Sequence, residues 1–378
     1  VINALSALRG GGQTYIVNFL KYLPDGNYKI LLLVNTYNRT LFERFKSDKV
    51  ELYEAKWASK SIFHRTYWEL FLLPDFLKKR KATVYYAPGG LMLTKIPDSV
   101  ISVTALRNML PFDKRERKRF NLVSYIRFKL WLLKFLFLFS YKFTDKVVFI
   151  SDYSRSIVKE YITDIEKKSI LIPHGLNKKF LKTEKNYQLP DFLQDNQFYL
   201  YVSILDVYKA QKEVVNSWKL LIKQGINYPL VLVGPNYNEY GESVLSMIKA
   251  PELQGKVIYL GNVDYDDLPG LYKASRALIF ASSCECCPNI LLEKLGASKP
   301  VLCSNIEPMP EFGGEAVIYF DPYKPESLCC EVLALENDAD KMKLYAEKAG
   351  EQALKYNWEQ TVKKTIDYLL EQNKANNV

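Results

Sequence analysis

The sequence predicts an α/β protein made of two doubly wound, Rossmann-like domains with parallel sheets. Three observations carry this. Short apolar runs recur along the chain, helix-like segments separate most of them, and one polar stretch interrupts the rhythm near the middle. The runs fall at 29–34, 50–54, 83–87, 99–104, 146–150 and 168–172, then at 198–203, 229–233, 256–260, 277–280, 300–303 and 316–320. Many are rich in Val, Ile and Tyr with little polar alternation, the pattern of strands buried on both faces. Helical patterns occupy 13–23, 66–79, 116–141, 152–161, 207–223, 266–274, 288–297 and 325–335. The polar stretch 178–197 reads as a linker. The domains are accordingly 1–182 and 183–356, and a last helix pattern at 358–370, within 357–378, is expected to lean back on the first domain. Ligands of such sheets bind at the carboxyl ends of strands, so two domains facing each other would place a site in the cleft between them.

Composition bounds the class. Hydrophobic residues make up 48%, which excludes a disordered chain. The net charge is +10, and most of the excess sits in one place: from Arg107 to Lys146, eleven Lys or Arg stand against three Asp or Glu. The six cysteines, at 284, 286, 287, 303, 329 and 330, have no framework spacing and read as reduced thiols of a cytoplasmic protein. A metal at Cys284, Cys286 and Cys287 lacks paired Cys-x-x-Cys spacing, and the only histidines are His64 and His174, so no metal is expected. The chain opens at Val1 already inside an apolar run, so the first strand reads as clipped.

The stretch 280–293 is the most informative. Glu285 and Glu293 stand eight positions apart, with Pro288 between them where a helix would begin. One acid then lies in a strand-to-helix loop and the other on the helix that follows. A helix N-terminus suits a phosphate, and flanking carboxylates suit hydroxyl donors. A nucleotide sugar needs both.

Weaker signals surround it. Gly10, Gly11 and Gly12 follow the first apolar run and open a helix pattern, but Tyr15 stands where a dinucleotide fingerprint needs glycine. They are either a tight turn or a ligand-contacting loop. Lys209, shortly after the run ending at Ser203, is placed to meet a diphosphate as a point charge or to be a solvated helix-start lysine. Glu311 and His174 read as a loop and a structural residue.

The segment 115–143 combines charge with aromatics. Arg127, Lys129 and Lys134 break its apolar run, which argues against a spanning helix. At 100° per residue Arg115, Arg119, Arg127 and Lys134 share a side, while Trp131, Phe135 and Leu138 fall largely elsewhere. A basic amphipathic helix of this kind fits an anionic membrane surface; the alternative is a core helix with a basic outer face. No nucleic-acid module is present, so nucleic acid is not expected as a partner.

These residues resemble the retaining glycosyltransferases of group 1, family 4-like, which have the GT-B fold and a Glu-x7-Glu motif. The likeness is most specific over 283–301, with support from Gly10–Gly12, Phe149–Ser151, Ile172–Gly175, 261–263, 268–272 and 310–314. The resemblance implies a fold of two Rossmann-like domains facing across a cleft, the first binding acceptor and the second the nucleotide sugar. It puts the transferred sugar at Glu285, the ribose hydroxyls at Glu293 and the diphosphate at Lys209. It adds Gly11, Gly12, Ser203, Val263, Cys286, Cys287, Pro288, Asn289 and Ile290 to the donor site. Two departures stand out. Ile204 occupies the place of an arginine common in the family, and after the strand near 101–105 the chain has Arg107 and Asn108 where many members have a histidine. Arg107 and Asn108 are candidates for that histidine's role.

The reading is a metal-independent, retaining hexosyltransferase with a nucleotide-diphosphate sugar as donor and no cofactor. Its acceptor is a lipid-linked saccharide or a cell-surface polysaccharide such as lipopolysaccharide, and its location is the inner face of the cytoplasmic membrane. The alternatives are another nucleotide-sugar enzyme on the same scaffold, an epimerase or synthase, and a degenerate membrane-associated partner.

Overall fold

The computed structural model describes residues 1–8, 10–121, 124–181 and 187–371. Residues 182–186 of the polar stretch, 122–123 of the basic segment and the end of the chain from 372 lie outside the described residues. The chain divides into two compact units. One holds Val1–Gly175 and the helix that begins at Trp358; the other is Leu176–Asn357.

The first unit has seven parallel strands: β1 (Ile2–Asn3), β2 (Ile30–Val34), β3 (Val50–Glu54), β4 (Val84–Ala87), β5 (Ile101–Leu106), β6 (Lys146–Phe149) and β7 (Ser169–Leu171). They lie in the order β3-β2-β1-β4-β5-β6-β7, so the winding reverses between β1 and β4. Its helices are α1 (Gly10–Lys21), α2 (Arg39–Glu43), α3 (Ile62–Tyr67), α4 (Leu73–Lys79), α5 (Lys114–Lys118), α6 (Tyr125–Phe143) and α7 (Asp152–Lys159). Two cores result, one around Phe19, Leu32, Tyr86 and Val148, the other around Leu33, Trp68, Leu77 and Tyr85.

Three local readings change here. The glycines are not a loop ahead of a helix: Gly10–Gly12 are the first turn of α1, exposed, with open space where a Cβ would stand at Gly10 and Gly12. The single helix expected over 66–79 is α3 and α4 joined by a π turn, Trp68–Leu72. Pro74 causes it, having no N–H for the Leu70 carbonyl; Thr94 Oγ1 donates to that oxygen instead, at 2.9 Å. The basic segment is two helices. Asp113 Oδ1 accepts from the amides of Arg115 and Glu116 and caps α5, and Ser124 Oγ accepts from Arg127 and caps α6. Two N-caps eleven residues apart start two helices.

The second unit has six parallel strands: β8 (Tyr199–Val202), β9 (Leu230–Val233), β10 (Val257–Tyr259), β11 (Ala277–Phe280), β12 (Val301–Ser304) and β13 (Ile318–Phe320). Their order is β10-β9-β8-β11-β12-β13, with the reversal between β8 and β11. Around them run α8 (Gln211–Lys223), α9 (Glu239–Met247), α10 (Leu268–Ala274), α11 (Asn289–Gly296), α12 (Met309–Gly313), α13 (Pro325–Glu336) and α14 (Ala339–Ala353). All four residues of β8, β9, β11 and β12 are buried, which is why each reads as a plain apolar run. The first residues after Gly175, down to Leu181, belong to this unit: Phe180 packs against α11, where a Cβ on Gly296 would meet its Cβ at 3.2 Å. The divide thus falls earlier than the sequence placed it, because Leu176 and Phe180 pack on α11 and Phe180 also meets the rings of Tyr265 and Tyr272.

The last helix, α15 (Trp358–Leu370), belongs to the first unit. Trp358, Val362, Ile366 and Leu369 enter the core that holds Phe19 and Tyr86. Its C-terminus is closed by Lys146, whose Nζ donates to the carbonyls of Tyr368 and Glu371 at 2.9 and 2.6 Å.

One glycine fixes the approach of two strand ends in the second unit. Gly234 follows β9 at φ +137°, and a Cβ there would stand 2.0 Å from the Ser203 carbonyl oxygen. Gly234→Ala should therefore cost about 3 kcal/mol, from overpacking and backbone strain together, measured by urea denaturation. A cost below about 0.5 kcal/mol, the scale of a neutral surface change, would show that the contact yields freely.

Candidate functional site

The chemistry-bearing residues of the second unit gather at the β8–β11 reversal. Ser203 directly follows β8, and its amide donates to the Val233 carbonyl at 2.8 Å. Among the described residues its buried hydroxyl has no hydrogen-bond partner. The chain then makes a short 3₁₀ turn, Val207–Lys209, started by Asp206, which accepts from the Val207 amide at 2.7 Å. Tyr201, on β8, donates its hydroxyl to the Lys209 carbonyl and pins the turn's end. The loop after β11 is stitched to this turn: the Ser283 amide and hydroxyl both donate to the Tyr208 carbonyl, at 2.8 and 3.1 Å.

That stitching brings Lys209 and Glu285 together. Lys209 Nζ donates to Glu285 Oε1, and Ser282 Oγ donates to the same oxygen at 2.8 Å. The side chains are 7% and 17% exposed, so the pair is shielded yet open on the carboxylate side. Burial alone would push the Lys209 ammonium down; Glu285, Tyr208 and Cys284 together outweigh it, and the net direction is upward. Lys209 is therefore a permanent cation at neutral pH.

Helix α11 begins three residues after Cys286, with Pro288 at its N-cap and no side-chain cap bond. Its first-turn amides carry the partial positive charge of a helix start. Cys286, Cys287 and Pro288 are buried there, and Asn289 and Ile290 half-buried. Glu293 lies on the next turn. It accepts from the Tyr265 hydroxyl at 2.9 Å and, at 3.5 Å, from that of Tyr272. Burial pushes its carboxyl up to about 7. Tyr265 is itself fixed by Lys179, which donates to its carbonyl and to Asp266, at 2.5 and 2.8 Å, and lies 3.5 Å from its ring centroid. Val263 sits half-buried in the loop after β10.

Sequence reasoning missed Ser282, Tyr265, Tyr272 and Lys294. Lys294 is 0% exposed, donates to the Val202 carbonyl at 3.2 Å and has the rings of Tyr201, Tyr272 and Phe280 within 5.7 Å. Burial pushes its ammonium down to about 7. A lysine inside the apolar helix run was the available signal; nothing in the order of residues singles out two tyrosines among twenty-seven.

The remaining candidates lie in the first unit. Arg107, after β5, is held on three sides. Nη2 donates to the Tyr86 hydroxyl at 3.0 Å, Nη1 lies 2.7 Å from His174 Nε2, and Cζ is 3.2 Å from the Tyr15 ring centroid. Arginine only donates, so His174 accepts at Nε2. His174 is stacked between Tyr15 and Trp358, both 5.5 Å away. Asn108 is exposed and its Oδ1 accepts from the Leu110 amide, an Asx turn. Gly11 and Gly12 present first-turn amides of α1. None of the six cysteines is in a disulfide, and among the described residues no group of three or more His, Cys, Asp or Glu could hold a metal ion.

Residues 183–353 match the family model described as glycosyl transferases group 1. An O-antigen chain mannosyltransferase B of Escherichia coli is 28% identical over 170 residues, 44% of this chain and 44% of that protein, so the match spans less than half the length of that relative. Among solved structures, Anabaena HepE in complex with UDP and glucose has a TM-score of 0.69 at 16% identity, over 97% of this chain and 98% of that one. WaaG, a glycosyltransferase involved in lipopolysaccharide biosynthesis, has a TM-score of 0.69 at 12% identity, over 96% and 97%. The two parallel-sheet units thus have the GT-B fold of these solved structures, and residues 183–353 are similar to the group 1 glycosyl transferases.

Proposed function

We propose that this protein is a retaining hexosyltransferase that moves a sugar from a nucleotide-diphosphate sugar to a membrane-associated or cell-surface saccharide. The observation that carries the reading is the Lys209–Glu285 pair beside the start of α11, with Glu293 one turn further on. Lys209 and the helix end supply positive charge where a diphosphate leaving group gains negative charge. Glu285, held by Lys209 and Ser282, keeps a fixed carboxylate oxygen for hydroxyls of the transferred ring. Glu293 accepts from the ribose hydroxyls. The bond from the anomeric carbon to the phosphate oxygen breaks and its electron pair stays on the phosphate. The acceptor oxygen bonds to the same face of that carbon, and its proton passes to the leaving phosphate oxygen. No enzyme carboxylate needs to attack, and this reading asks for no metal. The relative's printed name, O-antigen chain mannosyltransferase B, and the UDP and glucose in the HepE complex support a sugar donor of this class.

Helix α6 supports a membrane-bound acceptor. It exposes Tyr125, Phe128, Trp131, Phe135, Phe139 and Phe143, each at least 48% accessible, beside exposed Lys129 and Lys142. Large aromatics interleaved with cations fit the interface of an anionic bilayer. No helix among the described residues is long and apolar enough to cross a membrane.

Three outcomes test this. Lys209→Ala and Glu285→Ala should each lower turnover about 10²- to 10³-fold, the scale of one lost charge-stabilising group, read as nucleoside diphosphate released in the presence of acceptor. Activity within about threefold of the parent would remove both residues from the site. Glu293 gives a pH signature. Folding raises its pKa from 4.5 to about 7, so the folded state holds the proton more tightly than the unfolded chain. Its contribution to stability is full below pH 4.5 and lost as pH climbs to about 7. Ribose hydroxyls prefer the carboxylate, so UDP affinity should rise between pH 6 and 8, and Glu293→Gln should flatten that rise; an equal slope in the variant contradicts the assignment. Finally, vesicles of anionic lipid at low salt should shift and intensify the Trp131 emission, and Trp131→Ala with Phe135→Ala should weaken co-sedimentation by about tenfold, a loss of roughly 1.4 kcal/mol. Failure of the parent to bind such vesicles would sink the membrane part alone.

A further inference from the structure

The first unit has its own winding reversal, between β1 and β4, and a cavity of about 300 Å³ opens there. Its floor is polar. Asn3, the last residue of β1, donates both amide hydrogens, one to Glu69 Oε1 at 2.9 Å and one to the Tyr85 hydroxyl at 2.8 Å. Tyr85 already accepts from Asn3, so its own proton is left to donate. Arg65 Nε stands 3.9 Å from Glu69 Oε2, beyond hydrogen-bond reach, and is buried without a hydrogen-bond partner. Burial pushes the Glu69 carboxyl upward. A carboxylate, a guanidinium edge and a phenol thus face one small space with bonding capacity left over.

The backbone is bent to make this so. Glu69 and Leu70 lie in the π turn between α3 and α4, and insertions of this kind recur at functional sites. The walls are apolar, from Leu70 and Leu73 on one side and Leu133 and Leu136 of α6 on the other. Both helical walls turn further apolar residues outward: Phe63 and Phe71 at 82% and 62% accessible, and Trp131 and Phe135 at 48% and 51%. The cavity is at the small end of ligand sites, with room for about one ring, so the rest of any ligand must leave through this rim. Glu69 disfavours an anionic head despite Arg65, and the rim disfavours a wholly polar ligand.

We propose that this cavity holds a neutral sugar head carried on an apolar tail, with Glu69 and Tyr85 bonding ring hydroxyls, Arg65 a ring or bridging oxygen, and the tail passing out along the exposed residues of α3 and α6. Its role as acceptor site rests on the transferase reading; the binding itself does not.

The full chain is titrated with n-octyl β-D-glucoside below its micelle-forming concentration, with free glucose and octyl sulfate as controls and with UDP in a separate titration, by calorimetry. The glucoside should saturate at one per chain and bind at least about tenfold more tightly than either control, the scale of one hydrogen bond to a charged group. Glu69→Gln keeps an acceptor for Asn3 and should fold; Thr66→Phe fills the cavity from its wall. Each should weaken the glucoside by about tenfold or more and leave UDP binding unchanged. Undiminished glucoside binding in both variants, or octyl sulfate binding as tightly as the glucoside, overturns the proposal. UDP binding without glucoside binding removes this site and spares the transferase reading; glucoside binding without UDP binding does the reverse.

Discussion

The reversal of winding between β8 and β11 is the constraint on which the second unit's chemistry depends. Connections in a parallel sheet are right-handed, so where the strand order turns back the neighbouring connections leave toward opposite faces. The carboxyl ends of those two strands are left uncovered, and loops from distant parts of the chain must meet there. Lys209 comes off β8 and Glu285 off β11, and the Tyr208 carbonyl, taken by Ser283, ties one loop to the other. Neither charge is tolerable alone at this depth: a single buried ion without a partner costs several kcal/mol. Each fixes the other, which is why a lysine and an acid seventy-six residues apart present one rigid pair.

The strand frame was largely legible because its signal is simple. β8, β9, β11 and β12 are buried on both faces and show as unbroken apolar runs. Elements whose buried face is small or polar were not legible. Helix α14 buries only Ala349, Gln352 and Ala353, and α9 only Gly241 and Val244, so neither shows an apolar stripe. The basic segment misled for the opposite reason. Its apolar residues are so many that a single period could be drawn through α5 and α6, and the caps at Asp113 and Ser124 were the better guide. At the site, Glu285, Glu293 and Pro288 were readable because they are close in sequence and typed by chemistry. The supports were not, since Ser282, Tyr265 and Tyr272 act through tertiary contacts that no local spacing encodes.

Glu293 and Lys294 show how burial tunes what spacing merely places. They are neighbours on α11, both buried, and burial moves them in opposite directions until both titrate near 7. Glu293 faces two tyrosine hydroxyls, while Lys294 faces the Val202 carbonyl and three aromatic rings. Such a helix turn carries no large fixed charge of its own near neutrality. A ligand whose hydroxyls favour the carboxylate would therefore settle a proton balance that the protein alone leaves poised.

The two reversals are built for unlike chemistry, and the difference follows from what surrounds each. At β8–β11 the walls are short loops and a helix start, rich in donors and shielded, with a permanent cation held by Glu285. That environment suits charge that grows during a reaction, because fixed donors need no rearrangement when it appears. At β1–β4 the floor is one carboxylate with an arginine out of bonding range, and the walls are leucines on helices whose outer faces are aromatic. There the Glu69 carboxylate would oppose a departing diphosphate despite Arg65. What that floor can do is accept from hydroxyls while the walls exclude water from an apolar stem. On the proposed reading the first reversal activates the sugar and the second chooses an amphiphile over water, with residues no motif marks.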